Sequence, residues 1–278
     1  SFDFGNQGAL PSHPELLDWL AVYLHENNWD LKNTLRYLVL SSTYQQSAKI
    51  SPSQLERDPE NIFYSRATRR RLPAETLRDH FLHISGLLVE QVGGPSVKPY
   101  QPEGLWAEKT GGGGGSTAKY VPDQGDKRYR RSLYTFWKRT VPPPNMMTFD
   151  AASRDLCTVI RQETSTPLQA LVMMNDPQFV EAARAMATRV CLEVKEKEER
   201  IVQLFRGATS RMPSELEILE LSDLLDGEVQ RFEKSPDAAE RYLAIGPFPT
   251  EPSIPATELA AYALVTNTIF NLDESINK

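Results

Sequence analysis

Cysteine and histidine are both scarce in this chain, which has two cysteines, Cys157 and Cys191, and four histidines among its 278 residues. Two cysteines cannot build the disulfide framework of a small secreted scaffold. Neither residue type shows the clustered spacing of a zinc site, and no C-x-x-C-H sequence for haem attachment occurs. We therefore expect no metal and no cofactor in this chain. His80 and His83, three residues apart, are expected to share an ordinary helix face.

Long apolar runs and the signature sequences of common enzymes are absent too. No stretch approaches about 18 uninterrupted apolar residues, so no membrane span is predicted. There is no Gly-x-Ser-x-Gly nucleophile motif, and the glycine run 111–115 lacks the Gly-Lys-Ser/Thr that completes a phosphate-binding loop. The first residues contain neither an initiator Met nor the basic and apolar regions of a signal peptide. We therefore expect the chain to be a piece of a longer protein.

The charges that are present are distributed unevenly. The sequence carries 31 Lys and Arg against 37 Asp and Glu, a net charge of −6. Residues 1–192 hold 22 basic and 20 acidic side chains, whereas residues 193–278 hold 9 basic and 17 acidic ones. We predict a motif-bearing helical core over 1–192 with an inserted flexible loop at 107–118. An acidic helical part over 193–278 is expected to pack on the same domain, with its charges on solvated helix faces.

Signals for helix starts recur along the chain. Ser-x-x-Glu capping boxes occur at Ser12–Glu15 and Ser214–Glu217. Other predicted helices begin with a capping residue or a proline ahead of apolar residues at helical spacing, at Asp30, Pro73, Thr166, Asp176 and Thr257. We expect the Pro73 helix to stop at the Gly93-Gly94-Pro95 sequence and the Ser214 helix to end near Gly227. The predicted fold class is mainly α: a multi-helical domain of about eight or nine helices, with a small β element around residues 119–141.

That β element rests on residues 131–141, which are rich in aromatic and β-branched types and are followed by three prolines. A strand needs a partner, and residues 119–121 are the expected one. By contrast, four prolines between Gly246 and Pro255 exclude a helix in that stretch.

Polar residues are densest around this predicted strand, where arginine, lysine and aromatic side chains alternate. Guanidinium groups bind carboxylates, sulfates and phosphates through two parallel hydrogen bonds. The arginines either pair internally with acids, among them Asp155, or form a site for a sulfated or carboxylated polysaccharide. A nucleic-acid partner is not expected, because residues 1–192 are nearly neutral. The candidate residues for either role are Arg70, Arg71, Glu75, Arg78, Asp79, Arg131, Tyr134, Lys138, Arg139, Asp150, Arg154, Arg161, Asn175 and Asp176.

Two further features leave a catalytic role open. His13 lies inside the predicted first capping box, where its ring has either a structural or a catalytic role. Glu75 and Asp79, four residues apart on one helix face, are acids of the kind that glycoside hydrolysis requires in pairs. No catalytic motif is recognised, so the sequence does not decide whether the chain is an enzyme.

Several strings occur together and in order, and they carry a family resemblance. They are DFG (3–5), PSHPELLDWL (11–20), SSTYQQS (41–47), RRLPAETLRD (70–79), YRRSLY (129–134), FDA (149–151) with Arg154, TPLQAL (166–171), NDP (175–177) and the closing residues 267–274. This series resembles the planctomycete-type PSD1 domain, also called DUF1553. The family pattern begins upstream of Ser1, and the glycine run stands where the family has a more varied loop.

The resemblance implies a setting rather than a reaction. Members lie at the C-terminal end of exported proteins, downstream of a DUF1549 domain and often of a cytochrome c-like domain, beside genes for sulfatases and polysaccharide degradation. It implies a periplasmic or extracytoplasmic location, with any haem elsewhere in the parent protein, and it supplies no catalytic residues. The first hypothesis is a non-catalytic helical scaffold or docking module. The alternative is a binding domain or hydrolase for anionic polysaccharide.

Overall fold

A computed structural model describes residues 5–109 and 119–278, and the chain forms two compact units, Ser1–Arg70 and Arg71–Lys278. The described residues form thirteen α-helices, nine of them with eight residues or more, and three short 3-10 helices. The α-helices are α1 Pro14–Glu26, α2 Leu31–Val39, α3 Pro52–Arg57, α4 Ala74–Ser85, α5 Leu105–Lys109, α6 Pro144–Thr148, α7 Pro167–Asn175, α8 Pro177–Glu193, α9 Lys197–Thr209, α10 Glu215–Lys234, α11 Pro236–Leu243, α12 Ala256–Phe270 and α13 Asp273–Ile276. The predicted mainly helical fold is confirmed.

The N-terminal unit contains α1, α2 and α3. Asp30 caps α2 as predicted, because its side chain accepts the Asn33 N–H at 3.0 Å. The predicted Ser12 cap is wrong: His13 is the N-cap residue of α1, and its ring nitrogen lies 3.0 Å from the Ser12 hydroxyl. The reason is local, since Pro14 disfavours helical backbone in the residue before it and so fixes the helix start one residue later.

The core of the C-terminal unit lies where α8 and α12 pack against each other, with α9, α10 and α11 around them. Many buried side chains of the two central helices are small, among them Ala182, Ala183 and Ala187 in α8 and Ala260, Ala261 and Ala263 in α12. Alanines allow the two backbones to approach closely, and larger buried side chains such as Phe81, Phe205 and Phe270 fill the space around them. No described helix is long and apolar enough to cross a membrane.

The predicted starts of the longer helices are confirmed in this unit. Thr166 and Ser214 form capping boxes at α7 and α10, and Asp176 caps α8 by accepting the Gln178 N–H at 2.9 Å. Two predicted ends are wrong. The helix that follows Pro73 stops at Gly86, whose φ is +80°, and α10 continues past Gly227, because its buried residue Phe232 lies beyond the glycine and the glycine costs only about 1 kcal/mol.

The predicted strand over 131–141 is also wrong, and so is its partner at 119–121. Residues 132–134 form a 3-10 helix. The β pairing of this segment consists of isolated bridges, which join Arg130 to Val89, Thr135 to Val97 and Lys138 to Val141. In this segment, side chains supply hydrogen bonds to backbone groups that a neighbouring strand would otherwise pair. Arg78 donates to the Arg130 carbonyl, and Asp79 accepts the Ser132 N–H. Because these backbone groups are already paired, a regular strand is not needed to satisfy them.

Candidate functional site

The C-terminal unit contains a cleft beside the N-terminus of α8, made of two adjoining cavities that share Tyr100 and Pro177. We call it the α8 cleft. The Asp176 cavity has a volume of about 330 Å³ and is lined by Pro102, Pro144, Asn145, Leu171, Asn175 and Asp176, among others. The Glu181 cavity has about 290 Å³ and is lined by Arg78, Tyr129, Gln178, Glu181, Gly246 and Pro247, among others.

Helix α8 supplies the polar side chains of the cleft at regular spacing. Gln178, Glu181 and Arg184 are three residues apart, so they lie on one face of the helix. Pro177 occupies the first turn, where its missing N–H costs nothing, and Asp176 satisfies the N–H of Gln178. The sequence around residue 177 therefore fixes where this polar face begins.

The proline-rich stretch forms one wall, because two side chains of α8 hold it. The buried Arg184 donates to the carbonyl of Phe248 at 2.7 Å and to that of Ile245 at 3.0 Å. Glu181 accepts the Phe248 N–H at 2.6 Å. Gly246 has a φ of +77°, and a Cβ added there would lie 2.7 Å from the Glu181 carboxyl carbon. Only glycine fits both the backbone conformation and this close approach.

The second wall, residues 128–132, is held by Arg78. This buried guanidinium donates to the carbonyls of Arg128 at 2.6 Å and Arg130 at 3.0 Å, and to the Gln178 side-chain oxygen at 2.7 Å. A guanidinium presents five donors in a fixed plane, so one side chain pairs several carbonyls of an irregular segment. Arg78 therefore joins α4, α8 and the wall.

Two acids of the cleft hold their protons more tightly than usual. Burial raises the pKa of Asp176 to about 6, although the Gln178 N–H, the Arg78 charge and Asn145 oppose the shift. Burial also raises the pKa of Glu181, against hydrogen bonds from the Tyr129 hydroxyl and the Phe248 N–H. Perturbed acids inside a cavity are typical of functional sites.

Three of the predicted site residues belong to the α8 cleft itself: Arg78, Asn175 and Asp176 line it. Asp79 supports its wall through Ser132. Two ion pairs hold another part of the C-terminal unit, the segment 150–164. Arg71 pairs with Asp150, and Arg161 pairs with Glu75 at 2.6 Å. These pairings agree with the interpretation that the arginines bind internal acids.

The pKa values of both acids reflect these pairs. Burial of Glu75 raises its pKa, but the hydrogen bond and charge of Arg161 outweigh it and hold the pKa below its usual value. Asp150 behaves in the same way, since Arg71 and Thr164 outweigh the effect of burial.

The remaining predicted residues lie outside the cleft. Cationic side chains stack on aromatic rings, with Lys138 4.4 Å from the Trp106 ring and Arg154 4.6 Å from the Trp137 ring. Exposed Arg131 lies 3.7 Å from Glu90, and Arg139 is exposed. The Tyr134 hydroxyl accepts the Gly93 N–H. Arg70 and His13 belong to the N-terminal unit, in which the His13 ring stacks on Tyr64 at 4.9 Å. The candidate residues are thus dispersed, and a role in binding an anion stays a prediction for the exposed ones.

The metal-ligating side chains and the two thiols form no cluster in the described ranges. Over residues 5–109 and 119–278, no three His, Cys, Asp or Glu side chains meet in a metal-binding arrangement. Cys157 is exposed and Cys191 buried, and both are free thiols. Of the predicted flexible loop 107–118, residues 107–109 belong to α5 instead, and the glycine run with the rest of 110–118 lies outside the described residues.

Four residues of the cleft were not predicted from the sequence: Tyr100, Gln178, Glu181 and Arg184. A signal for the last three was present, because the predicted helix 177–192 carries polar residues at a spacing of three among many alanines. A charged face on so apolar a helix indicates buried, paired charges. Nothing local marks Tyr100, which reaches the cleft only through the packing of distant segments.

Comparison with known proteins identifies a family but no activity. The sequence profile of PSD1, a protein of unknown function (DUF1553), matches residues 1–225, which include all of the N-terminal unit and the N-terminal half of α10. No curated protein and no solved structure matches the chain. Since the match spans most of the 278 residues, the chain belongs to the PSD1 (DUF1553) family.

Proposed function

We propose that this chain is a helical docking module of a larger protein, and that the apolar surface of α1 and α2 binds a neighbouring domain of that protein. Membership of the DUF1553 family suggests a domain of a larger protein. The observation that carries the proposal is that the N-terminal unit buries almost nothing: among residues 5–70, only Thr34 and Asp58 are buried.

The exposed side chains of these two helices are large and apolar. No residue of α1 is buried, and Leu17 and Leu35 are 56% and 51% exposed. Trp19 lies 5.4 Å from Tyr37, so aromatic side chains of the two helices meet. A helix of 13 residues is marginally stable without tertiary packing, and large apolar patches on a soluble protein mark interaction sites. We therefore infer that this surface of α1 and α2 is covered by a binding partner.

The partner we infer is an apolar segment of a covalently linked domain. The first 70 residues carry 7 basic and 8 acidic side chains, so electrostatic attraction does not drive the contact. Obligate interfaces are more apolar than transient ones, and a linked domain is present at a high effective concentration. The exported setting, the DUF1549 and cytochrome c-like neighbours, and the extracytoplasmic location rest on the sequence resemblance alone, and we propose them as the context.

Binding of anionic polysaccharide is the alternative proposal, and the exposed Arg131, Arg139 and Arg154 favour it. It is weakened because Arg71, Arg78 and Arg161 are held by internal partners. A thermal-shift series with sulfated and carboxylated glycans separates the two proposals. A shift that disappears in Arg139→Gln would support the alternative, and no shift with any polyanion would contradict it.

Hydrogen exchange in the full-length parent protein tests the docking proposal. We expect the amides of α1 and α2 to exchange at least about tenfold more slowly in the parent than in the isolated 278-residue chain, because docking suppresses local opening. Leu17→Glu and Leu35→Glu in the parent should remove this protection. Leu219→Glu, at a leucine of α10 that is 57% exposed, is the matched control and should leave it unchanged. Equal exchange of α1 and α2 in the two proteins would refute the docking role.

A further inference from the structure

The α8 cleft contains a buried polar group that the fold leaves only half satisfied. Glu181 is 5% exposed, and the Tyr129 hydroxyl and the Phe248 N–H both donate to its Oε1, at 2.8 and 2.6 Å. Among the described residues no hydrogen bond ends on Oε2, and the side chain lines the Glu181 cavity. Oε2 is not a fully buried atom, and it is open to the cavity, where a donor from outside the protein can approach it. A ligand with a hydroxyl group in this cavity would satisfy it.

The charged side chains around the cleft are of both signs, and this mixture favours an uncharged ligand. Arg78 and Arg128 line the Glu181 cavity together with Glu181, and Asp176 lines the adjoining cavity. An anionic ligand would meet the two acids, and a cationic one would meet the two guanidiniums. An uncharged ligand that both donates and accepts hydrogen bonds pairs with carboxyl, amide and phenol groups without either repulsion.

The apolar part of the lining selects the shape of the ligand. Tyr100 and Pro177 lie where the cavities join, and Pro102, Pro144 and Pro247 add further flat, C–H-rich surfaces. The two volumes, about 330 and 290 Å³, are at the small end of ligand pockets. A pyranose ring has this combination, with an apolar C–H face for a tyrosine or proline ring and hydroxyls at its edge for carboxyl and amide groups.

We propose that the α8 cleft is a binding site for a neutral carbohydrate, with one sugar ring in the Glu181 cavity and the next in the Asp176 cavity. Glu181 Oε2 and the Asn145 and Asn175 amides would bind ring hydroxyls, and Tyr100 would contact both rings. The site lies in the C-terminal unit and uses no residue of the docking surface. A test of carbohydrate binding is therefore independent of the proposed docking function.

NMR titration of the whole 278-residue chain tests the site directly. The probes are cellobiose, xylobiose and mannobiose, with cellobiouronic acid and the β-1,4-linked disaccharide of glucosamine as charged counterparts of the same size. We expect at least one neutral disaccharide to shift the amides of residues 178–181 and those of Ile245, Gly246 and Phe248, with a Kd on the order of 1 mM or tighter. The charged sugars should bind at least about tenfold more weakly. If no neutral probe shifts these amides at about 10 mM, if the shifts map elsewhere, or if a charged sugar binds as tightly, the proposal is wrong.

Substitutions of Tyr100 give a second test with its own control. Tyr100→Ala should weaken binding at least about tenfold, because the shared ring surface is lost, whereas Tyr100→Phe should keep most of the affinity. Tyr44→Ala, at an exposed tyrosine of the N-terminal unit, should have no effect. Unchanged binding by Tyr100→Ala would overturn the assignment. If that variant fails to fold, the mapping of shifts in the unsubstituted chain decides.

Discussion

At the scale of single residues, buried arginines bind backbone carbonyl groups that regular secondary structure would otherwise pair. Arg78 and Arg184 donate mainly to backbone carbonyls, those of residues 128–130 and 245–248 respectively. Each thereby fixes an irregular segment that neither helix nor sheet would satisfy. This explains how two walls of the α8 cleft keep a defined shape although neither contains an α-helix or a strand.

Asp176 gives the cleft a predictable pH dependence. Burial raises its pKa to about 6, against about 3.9 in an unfolded chain, so the folded state binds this proton more tightly. The bound proton of Asp176 therefore adds roughly 3 kcal/mol to the free energy of unfolding below about pH 4, and this contribution is lost as the pH rises through 6. Asp176→Asn should remove this slope, while its amide oxygen still caps α8. Urea unfolding at a series of pH values between 4 and 7 measures how the free energy of unfolding of each protein depends on pH.

The control for this measurement is Asp223→Asn, at an exposed residue of α10, which should reproduce the pH dependence of the unsubstituted chain. If the Asp176→Asn protein also kept that pH dependence, a group other than Asp176 would be responsible for it, and the prediction would be wrong.

At the scale of elements, the loop over the Glu181 cavity depends on one glycine. Gly246 and Gly104 have nearly the same φ, +77° and +79°, but a Cβ at Gly246 meets Glu181 whereas one at Gly104 meets nothing within 4 Å. The pair therefore separates the cost of the backbone conformation from the cost of the close approach.

We expect Gly246→Ala to destabilise the protein by about 2–4 kcal/mol and Gly104→Ala by about 1 kcal/mol, since only the first adds a steric clash to the strained φ. Denaturant midpoints of the two variants provide the comparison. Equal midpoints would show that the loop moves away from α8 at little cost.

Helix starts and strands differed in how well they were predicted, for a physical reason. A cap such as Asp176 or Ser214 acts on a backbone N–H two or three residues away, so the sequence contains the whole interaction. The residues 131–141 have strand-like composition, but a ladder depends on a distant partner, and Arg78 and Asp79 bind these backbone groups instead. The three aromatic residues of this segment are half-buried, so their pattern reflects packing against the unit and not a strand.

At the scale of the whole molecule, the two units differ in how much they bury. The C-terminal unit has a continuous core centred on α8 and α12, whereas α1 has no buried residue. In the isolated chain we therefore expect the amides of α8 and α12 to exchange slowest and those of α1 and α2 fastest, by a factor of at least about 100. Hydrogen exchange followed by mass spectrometry resolves these segments. Comparable protection of α1 and α12 would mean that the apolar surface is already covered in the isolated chain.

The sequence alone determined the mainly helical class, the starts of α2, α7, α8 and α10, and the resemblance to DUF1553, because each depends on local spacing or on the order of motifs. The tertiary structure alone decided which polar residues meet. Arg78 reaches a carbonyl 52 residues away, and Arg184 reaches one 64 residues away. The α8 cleft exists only through such pairings, since its two acids become unusual only when distant segments bury them.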